Sequence, residues 1–266
     1  MRARITLLLF AILYSFTCLA QTNFEKHFTK KSLRIDFALS GNWDFQAAAI
    51  QQLREEPVWA GPVKNLIDPF GYGGYYINVY DKAGKELIYS RGFNTLFEEW
   101  RSTEQAKTET QSWTNSISIP YPKAPVIIEI TARDKADMQF HPLLKQEIDP
   151  ASIFIDRGKL KENRITKIRY NGDSSGKVDL VFLAEGYTAD EQEKFVADAK
   201  RFTEALFKTP PYDTRREDFN VWAVDAVSEE SGTDVSGKGI FKNTALNSGY
   251  VWGRSLFNHP GYEVYT

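Results

Sequence analysis

The sequence feature that most constrains the fold is an apolar segment followed at once by a helix signal. Residues Val178–Ala184 contain a single polar side chain, a composition typical of a strand buried on both faces of a sheet. Thr188 and Glu191 then have the spacing of a capping box, which stabilises the first turn of a helix. A second apolar segment, Phe219–Val224, follows the helix. This order predicts a βαβ unit whose two strands are parallel and joined by a right-handed crossover.

The helix of this unit is predicted to carry one apolar stripe. Its large or apolar residues are spaced at three or four positions, which places them on one helical face: Phe195, Ala199, Phe202 and Leu206. We therefore expect this face to pack on the sheet.

The first half of the chain is predicted to be β-structure. Five segments have the composition or alternation of strands: Leu33–Leu39, Tyr75–Tyr80, Glu86–Tyr89, Ser116–Ile119 and Val126–Thr131. Gly84, between the second and third segments, indicates a hairpin turn that needs a positive φ. Pro120 and Pro122 indicate a strand end or a sheet edge, because proline lacks an amide donor. Short strands separated by turns favour a β-sandwich.

Two segments of the first half lack this pattern. Residues 93–113 are interpreted as a loop with its own aromatic plug, with a binding loop as the alternative. Residues 134–152 are polar, contain two prolines and have no sustained period, which is typical of a connector.

These patterns predict an α+β chain with two domains. A β-sandwich-like N-terminal domain is expected over residues 22–140, followed by a linker at residues 141–152. An incomplete α/β domain, built on the βαβ unit, is expected over residues 153–266.

Residues 1–20 are typical of a secretory signal peptide. Arg2 and Arg4 precede an apolar stretch, and Ala20 is a small residue at the expected cleavage point. We therefore expect export, to the periplasm, the cell surface or the medium. A lipoprotein signal using Cys18 is the second choice, because Ser15 stands where such a signal has leucine. No later apolar run reaches the roughly 20 residues that span a membrane.

Composition argues against two other classes. The 33 Lys+Arg and 35 Asp+Glu residues are balanced and form no long basic block, so we expect no nucleic-acid partner. Cys18 is the single cysteine, so the exported chain would contain no disulfide and no thiolate ligand or nucleophile.

Acidic residues follow both strands of the predicted βαβ unit. Because parallel strands end at the same edge of a sheet, Glu185, Glu229, Glu230 and Asp234 could converge on a cation there. The alternative is a solvated acidic loop with turn-forming glycines. The spacing favours this alternative, because hard cations need several oxygens at defined offsets and no calcium-loop pattern is present.

The residues alone indicate no catalytic set. His27, His141 and His259 are far apart in sequence, and none lies in an H-E-x-x-H motif. No G-x-S-x-G nucleophile motif is present either. We therefore assign no catalytic, cofactor-binding or metal residue from the sequence.

Three segments nevertheless resemble a known family. The strand ending in E-G-Y-T with its helix (residues 178–207), Asp218–Val221 and the S-G-T-D loop at Ser231–Asp234 are similar to the start of the catalytic domain of the IgA-peptidase family. These are exported bacterial zinc metallopeptidases, metallopeptidase family sixty-four. The resemblance implies a β-sandwich-like N-terminal domain, zinc as cofactor in complete relatives, and a protein or peptide substrate.

The chain departs from the family at one decisive place. The family's H-E-x-x-H motif lies beyond the S-G-T-D loop, and these 266 residues do not contain it. We therefore expect a fragment that is inactive by itself and supports no zinc site of its own. One choice of codons for residues 251–266, read one base later, resembles the family's continuation, so we hypothesise that this tail is out of frame.

A second hypothesis belongs to another class of protein. The chain would be a complete secreted, non-catalytic protein whose β-sandwich binds a glycan or a protein. Exposed aromatic residues of the 93–113 segment would then form its recognition surface.

Overall fold

The structure, a computed structural model, describes residues 22–159, 163–251 and 255–257. The predicted signal peptide and most of residues 251–266 lie outside this range. The described residues form a strand-rich α+β fold that divides into two compact units between Arg157 and Gly158. Across the described ranges, no helix is both long and apolar enough to cross a membrane.

The first unit consists mainly of strands. Its elements in chain order are α1 (Phe24–His27), β1 (Phe28–Gly41), β2 (Gln46–Glu56), β3 (Tyr75–Asp81), β4 (Leu87–Phe93), α2 (Leu96–Trp100), β5 (Gln111–Pro122), β6 (Val126–Arg133), β7 (Phe140–Ile148) and β8 (Ile155–Asp156), with a 3-10 turn at Gln105–Lys107. One sheet has the order β5-β1-β2-β8 and the other the order β4-β3-β6-β7. Neighbouring strands are antiparallel except β2 and β8, which are parallel.

Both sheets contribute to one hydrophobic core. Alternation along a strand places every second side chain on the same face. The core accordingly takes fully buried residues from β1, β3 and β6: Leu33, Ile35, Phe37, Leu39, Ile77, Val79, Ile128 and Ile130. The apolar alternation that predicted these strands is thus the pattern that builds the core.

The predicted hairpin is confirmed between β3 and β4. Gly84 has a φ of 67°, in the left-handed region that favours glycine. The Asp81 carboxylate accepts hydrogen bonds from the amides of Lys85 and Glu86, at 2.9 and 3.1 Å. These bonds close the turn and set the pairing of the two strands.

The prolines within strands of the first unit lie in edge strands, where a missing amide removes the fewest hydrogen bonds between strands. Pro120 and Pro122 are in β5, and Pro142 is in β7, and both strands are at sheet edges. Most of β7 falls within residues 141–152, which the sequence predicted to be a linker. This edge strand exposes many of its side chains, so it lacks the apolar alternation by which sequence identifies a strand.

The 93–113 segment is an aromatic plug. Thr95 caps α2 by accepting a hydrogen bond from the Glu98 amide at 3.2 Å. Phe97 and Trp100 on this helix are buried in the core of the first unit. The hypothesis that exposed aromatic residues of this segment form a recognition surface is therefore wrong for these two side chains.

The second unit is built around the strand–helix–strand unit. Its strands and helix are β9 (Ile165–Arg169), β10 (Val178–Leu183), α3 (Gln192–Leu206), β11 (Phe219–Val224), β12 (Asp234–Val235), β13 (Gly249–Val251) and β14 (Ser255–Phe257). Short 3-10 turns occupy Ser174–Gly176, Ala189–Glu191, Tyr212–Thr214, Arg216–Asp218 and Ser236–Lys238. β10 and β11 are parallel, β9 joins β11 antiparallel, and β12-β13-β14 form a second small sheet.

Helix α3 packs on the three-stranded sheet with a slightly rotated face. Phe195 and Ala199 are buried against the sheet as predicted, but Phe202 is 50% exposed. Thr203 takes the next buried position, and its hydroxyl donates to the Ala199 carbonyl at 2.8 Å. The buried stripe therefore runs from Phe195 to Ala199 to Thr203, in two steps of four residues. A helix with 3.6 residues per turn allows a step of either three or four residues.

Strand β10 differs from its prediction of burial on both faces. Val178 and Val181 are 53% and 49% exposed. In the described part of the chain, β10 lies at the edge of its sheet and α3 packs on one face. An apolar sequence shows that a strand can be buried on both faces. Whether a layer covers each face depends on the tertiary structure.

The two leucines at positions 39 and 96 provide a test of the first core. Leu39→Ala should lower the free energy of unfolding by about 3 kcal/mol, since it removes a fully buried side chain and leaves a cavity. Leu96→Ala is the matched control: its side chain is 62% exposed, and the loss should stay within about 0.5 kcal/mol. Urea unfolding of both variants gives the comparison. Equal losses would contradict the placement of Leu39 in the core.

Candidate functional site

The site lies at the carboxyl edge of the parallel pair β10 and β11. The loops after these strands are held side by side by backbone hydrogen bonds. The amide of Ser228 donates to the Tyr187 carbonyl, and the amide of Gly232 donates to the Gly186 carbonyl, both at 2.9 Å. This contact brings the E-G-Y-T turn next to the loop that carries Glu229, Glu230 and Asp234.

Gly186 permits this close approach. Its φ is 75°, and a Cβ at this position would lie 2.2 Å from the carbonyl oxygen of Gly232. Side-chain-bearing residues would therefore be strained here and would push the two loops apart.

Glu185, the first predicted site residue, is the centre of a hydrogen-bond network. Its Oε1 accepts from the Ser248 amide at 3.0 Å, the Ser248 hydroxyl at 2.6 Å and the Thr244 hydroxyl at 2.5 Å. Its Oε2 accepts from the Leu246 amide at 2.7 Å. All of these donors belong to residues 242–248, named here the return segment.

This network also controls the charge of Glu185. Burial of its carboxylate acts to raise the pKa, but the hydrogen bonds from Ser248, Thr244 and Leu246 outweigh that effect and lower the pKa overall. Glu185 is therefore held as a carboxylate that accepts hydrogen bonds.

The other three predicted site residues bind the same return segment. Glu230 accepts from the Asn243 amide at 2.8 Å and lies 3.3 Å from the Lys242 ammonium, and these contacts lower its pKa. Glu229 accepts from the Asn243 side-chain amide at 2.7 Å. Asp234 accepts from the Lys242 amide at 2.5 Å.

The four acidic residues thus converge on a polypeptide segment. Among the described residues, no group of three or more His, Cys, Asp or Glu side chains is placed to hold a metal ion. These side chains therefore do not fit a zinc site. His27 and His141 are in the first unit, where His141 contacts Asp137 at 2.8 Å, and His259 is outside the described residues.

Sequence reasoning missed the return segment itself. Its residues include several short hydroxyl and amide side chains, Asn243, Thr244, Asn247 and Ser248. This donor-rich composition is the signal that could have paired it with the acidic residues.

Comparison with protein families accounts for both units. A model of the family described as Peptidase M64 N-terminus matches residues 23–143, and a model described as IgA Peptidase M64 matches residues 166–257. No curated protein gives a significant match. The sequences of the two units thus match two models of one class of protein, a peptidase family.

The chain belongs to the M64 peptidase family. This confirms the resemblance carried by the E-G-Y-T and S-G-T-D segments, both of which lie inside the second match. Membership of a peptidase family implies a protein or peptide substrate, and M64 is a metallopeptidase family.

Replacement of Glu185 tests its role in holding the return segment. Because its pKa is lowered in the folded protein, the carboxylate stabilises the fold above its ordinary pKa of 4.5, and this contribution disappears as the pH falls through the folded value. Glu185→Gln should lower the free energy of unfolding by about 2 kcal/mol at neutral pH and by progressively less below pH 4.5. Urea unfolding across this pH range measures the difference.

The control is Glu217→Gln, which changes an exposed carboxylate of the same unit. It should give no comparable pH-dependent loss. Hydrogen exchange should also become faster at the amides of Leu246 and Ser248 in Glu185→Gln alone. Unchanged exchange at these amides would show that the carboxylate does not hold the segment.

Proposed function

We propose that this chain supplies the substrate-facing scaffold of an exported zinc metallopeptidase. The observation that supports this proposal most directly is the match of the IgA Peptidase M64 model to residues 166–257. This is the region in which Glu185 holds the return segment. Zinc peptidases of the H-E-x-x-H type bind the metal through the two histidines of that motif. The 266 residues do not contain the motif, so we assign no step of hydrolysis to any residue of this chain.

The two units take different parts in this proposal. The first would be the β-sandwich-like N-terminal domain of the family, supported by its two four-stranded sheets with a shared core. The second would be the first βαβ part of the peptidase domain, supported by the parallel pairing of β10 and β11. Export is supported by the basic and apolar composition of residues 1–20.

A cleavage assay tests the proposal. The polypeptide of these 266 residues, supplied with zinc, should not hydrolyse a denatured protein substrate, because it lacks the H-E-x-x-H residues. The gene should be read in all frames from codon 245 onwards for an H-E-x-x-H motif. A protein extended through that motif should cleave the substrate, and chelation of zinc should abolish the cleavage.

Two results would contradict this proposal. One is zinc-dependent cleavage by the 266-residue polypeptide itself. The other is that none of the downstream reading frames encodes an H-E-x-x-H motif. In the extended protein, exchange of the motif's glutamate for glutamine is the matched control, since it keeps the zinc ligands and removes the general base.

A second candidate function rests on exposed aromatic residues in the first unit. Phe70 and Tyr72 are 70% and 76% exposed, and their rings are stacked at a centroid distance of 5.7 Å. Trp43 and Phe45, in the turn between β1 and β2, are also more than half exposed. Exposed aromatic clusters of this kind mark interaction sites on soluble proteins.

The loops that carry these rings are fixed by two arginines. The Arg101 guanidinium donates to the Asn42 carbonyl at 2.6 Å, beside Trp43. Arg133 donates to the carbonyls of Gly73, at 3.2 Å, and Gly71 on the other loop. Rings on tethered loops lose little conformational freedom when a ligand binds, which favours recognition.

We infer that the stacked rings of Phe70 and Tyr72 bind a glycan. The face of an aromatic ring is electron-rich, so it attracts the weakly positive C–H groups of a sugar ring. Phe70→Ala combined with Tyr72→Ala should weaken binding to a glycan array by about tenfold or more and leave the melting temperature unchanged. Ile153→Ala, with a side chain 88% exposed, is the control. Binding that survives the double substitution, or binding to unglycosylated protein alone, would refute a glycan surface.

A further inference from the structure

A cavity of about 570 Å³ lies in the second unit, beside the first turn of α3. Its wall combines residues from four places: the chain entering β9, the turn and first residues of α3, the loop after β11 and, with Ala245, the return segment. The polar or charged residues of this wall include Arg164, Asp190, Gln192, Glu193 and Asp225. The predicted cation residues Glu185, Glu229, Glu230 and Asp234 do not line this cavity.

Asp225, a residue of this wall, has one unpaired carboxylate oxygen. The residue is 7% exposed, and its Oδ2 accepts from Arg164 Nε at 2.6 Å. Its Oδ1 is buried and has no hydrogen-bond partner among the described residues. A buried carboxylate oxygen without a donor is rare in folded proteins, and each case calls for an explanation such as an absent ligand.

Gln192 supplies a second unpaired acceptor. It is also 7% exposed, and its Nε2 donates to the carbonyls of Thr188, at 2.9 Å, and Tyr187, at 3.3 Å. These two carbonyls require the nitrogen of the amide on their side, so Oε1 is held on the other side. That Oε1 is buried and has no donor within the described part of the chain.

The charge of the wall selects the kind of ligand. Asp190, Glu193 and Asp225 contribute three carboxylates, whereas Arg164 contributes one guanidinium that already contacts Asp225. A positively charged group that donates hydrogen bonds would therefore complement this wall. No three His, Cys, Asp or Glu side chains of the described ranges are grouped to hold a metal, so an organic cation fits better.

We propose that this cavity binds a primary ammonium or guanidinium group on a flexible chain, as in lysine or arginine. The cation would donate to Asp225 Oδ1 and Gln192 Oε1, and Asp190 and Glu193 would attract it at the entrance. The volume exceeds that of a single ion, so it accommodates the aliphatic stem as well. Binding of the cation stands on this geometry. The idea that its carrier is a peptide substrate rests on the peptidase function proposed above.

Calorimetry with neutral and charged probes tests the cavity in the 266-residue protein. The probes carry the acetyl group on the α-nitrogen: Nα-acetyl-lysine amide, Nα-acetyl-arginine amide and, as the uncharged match, Nα-acetyl-norleucine amide. At least one basic probe should bind saturably, and about tenfold or more tighter than norleucine. Asp225→Asn should weaken that binding by about tenfold or more. Equal binding of the neutral probe, or no saturable binding of either basic probe, would overturn the proposal.

A second variant keeps the test decisive if Asp225→Asn fails to fold. Asp190→Asn combined with Glu193→Gln changes two exposed carboxylates of the wall and should leave the fold intact. Its affinity for the basic probe should fall about threefold and lose most of its salt dependence. Glu217→Gln, an exposed carboxylate outside the wall, should keep full affinity. A double variant that binds like the unchanged protein would contradict the proposal.

The outcomes separate this site from the peptidase function. Saturable binding of a basic probe, together with no cleavage by the extended protein, would support the cavity and remove its link to a peptide substrate. Cleavage by the extended protein without any probe binding would support the peptidase and overturn the cavity proposal.

Discussion

The hydrogen bonds accepted by the Glu185 carboxylate are the interactions that order the loops at the carboxyl edge of β10 and β11. This carboxylate accepts hydrogen bonds from Thr244, Leu246 and Ser248, and so fixes a segment that has little regular secondary structure of its own. A buried charge is stable only when its hydrogen bonds are satisfied. The strand that ends at Leu183 therefore does more than deliver a turn. It positions a carboxylate that binds three residues of the return segment.

This arrangement brings together in space the segments that resemble the family. The chain is a member of the M64 peptidase family, and its second unit brings the E-G-Y-T turn, the S-G-T-D loop and the return segment together at one sheet edge. Open α/β sheets bind their ligands at this edge. The acidic side chains nearest to the edge are occupied by polypeptide donors. The unpaired acceptors belong instead to Gln192 and Asp225, two residues that line the neighbouring cavity.

Sequence predicts the elements whose signal is local. The alternation of Leu33–Leu39, the turn at Gly84 and the capping pair of Thr188 and Glu191 each depend on residues close together in the chain, and each is present. Strand β7 escaped prediction because an exposed edge strand needs no apolar alternation. The partners of Glu185 escaped it because they lie about sixty positions further along, and only the folded path brings them near.

The edges of the sheets have different consequences for association between molecules. In the first unit, β5 and β7 are edge strands interrupted by proline, which blocks the continuous ladder that an added strand would need. Strand β10, an edge within the described residues, contains no proline and exposes Val178 and Val181. A strand added along β10 would therefore meet no proline, unlike a strand added along β5 or β7.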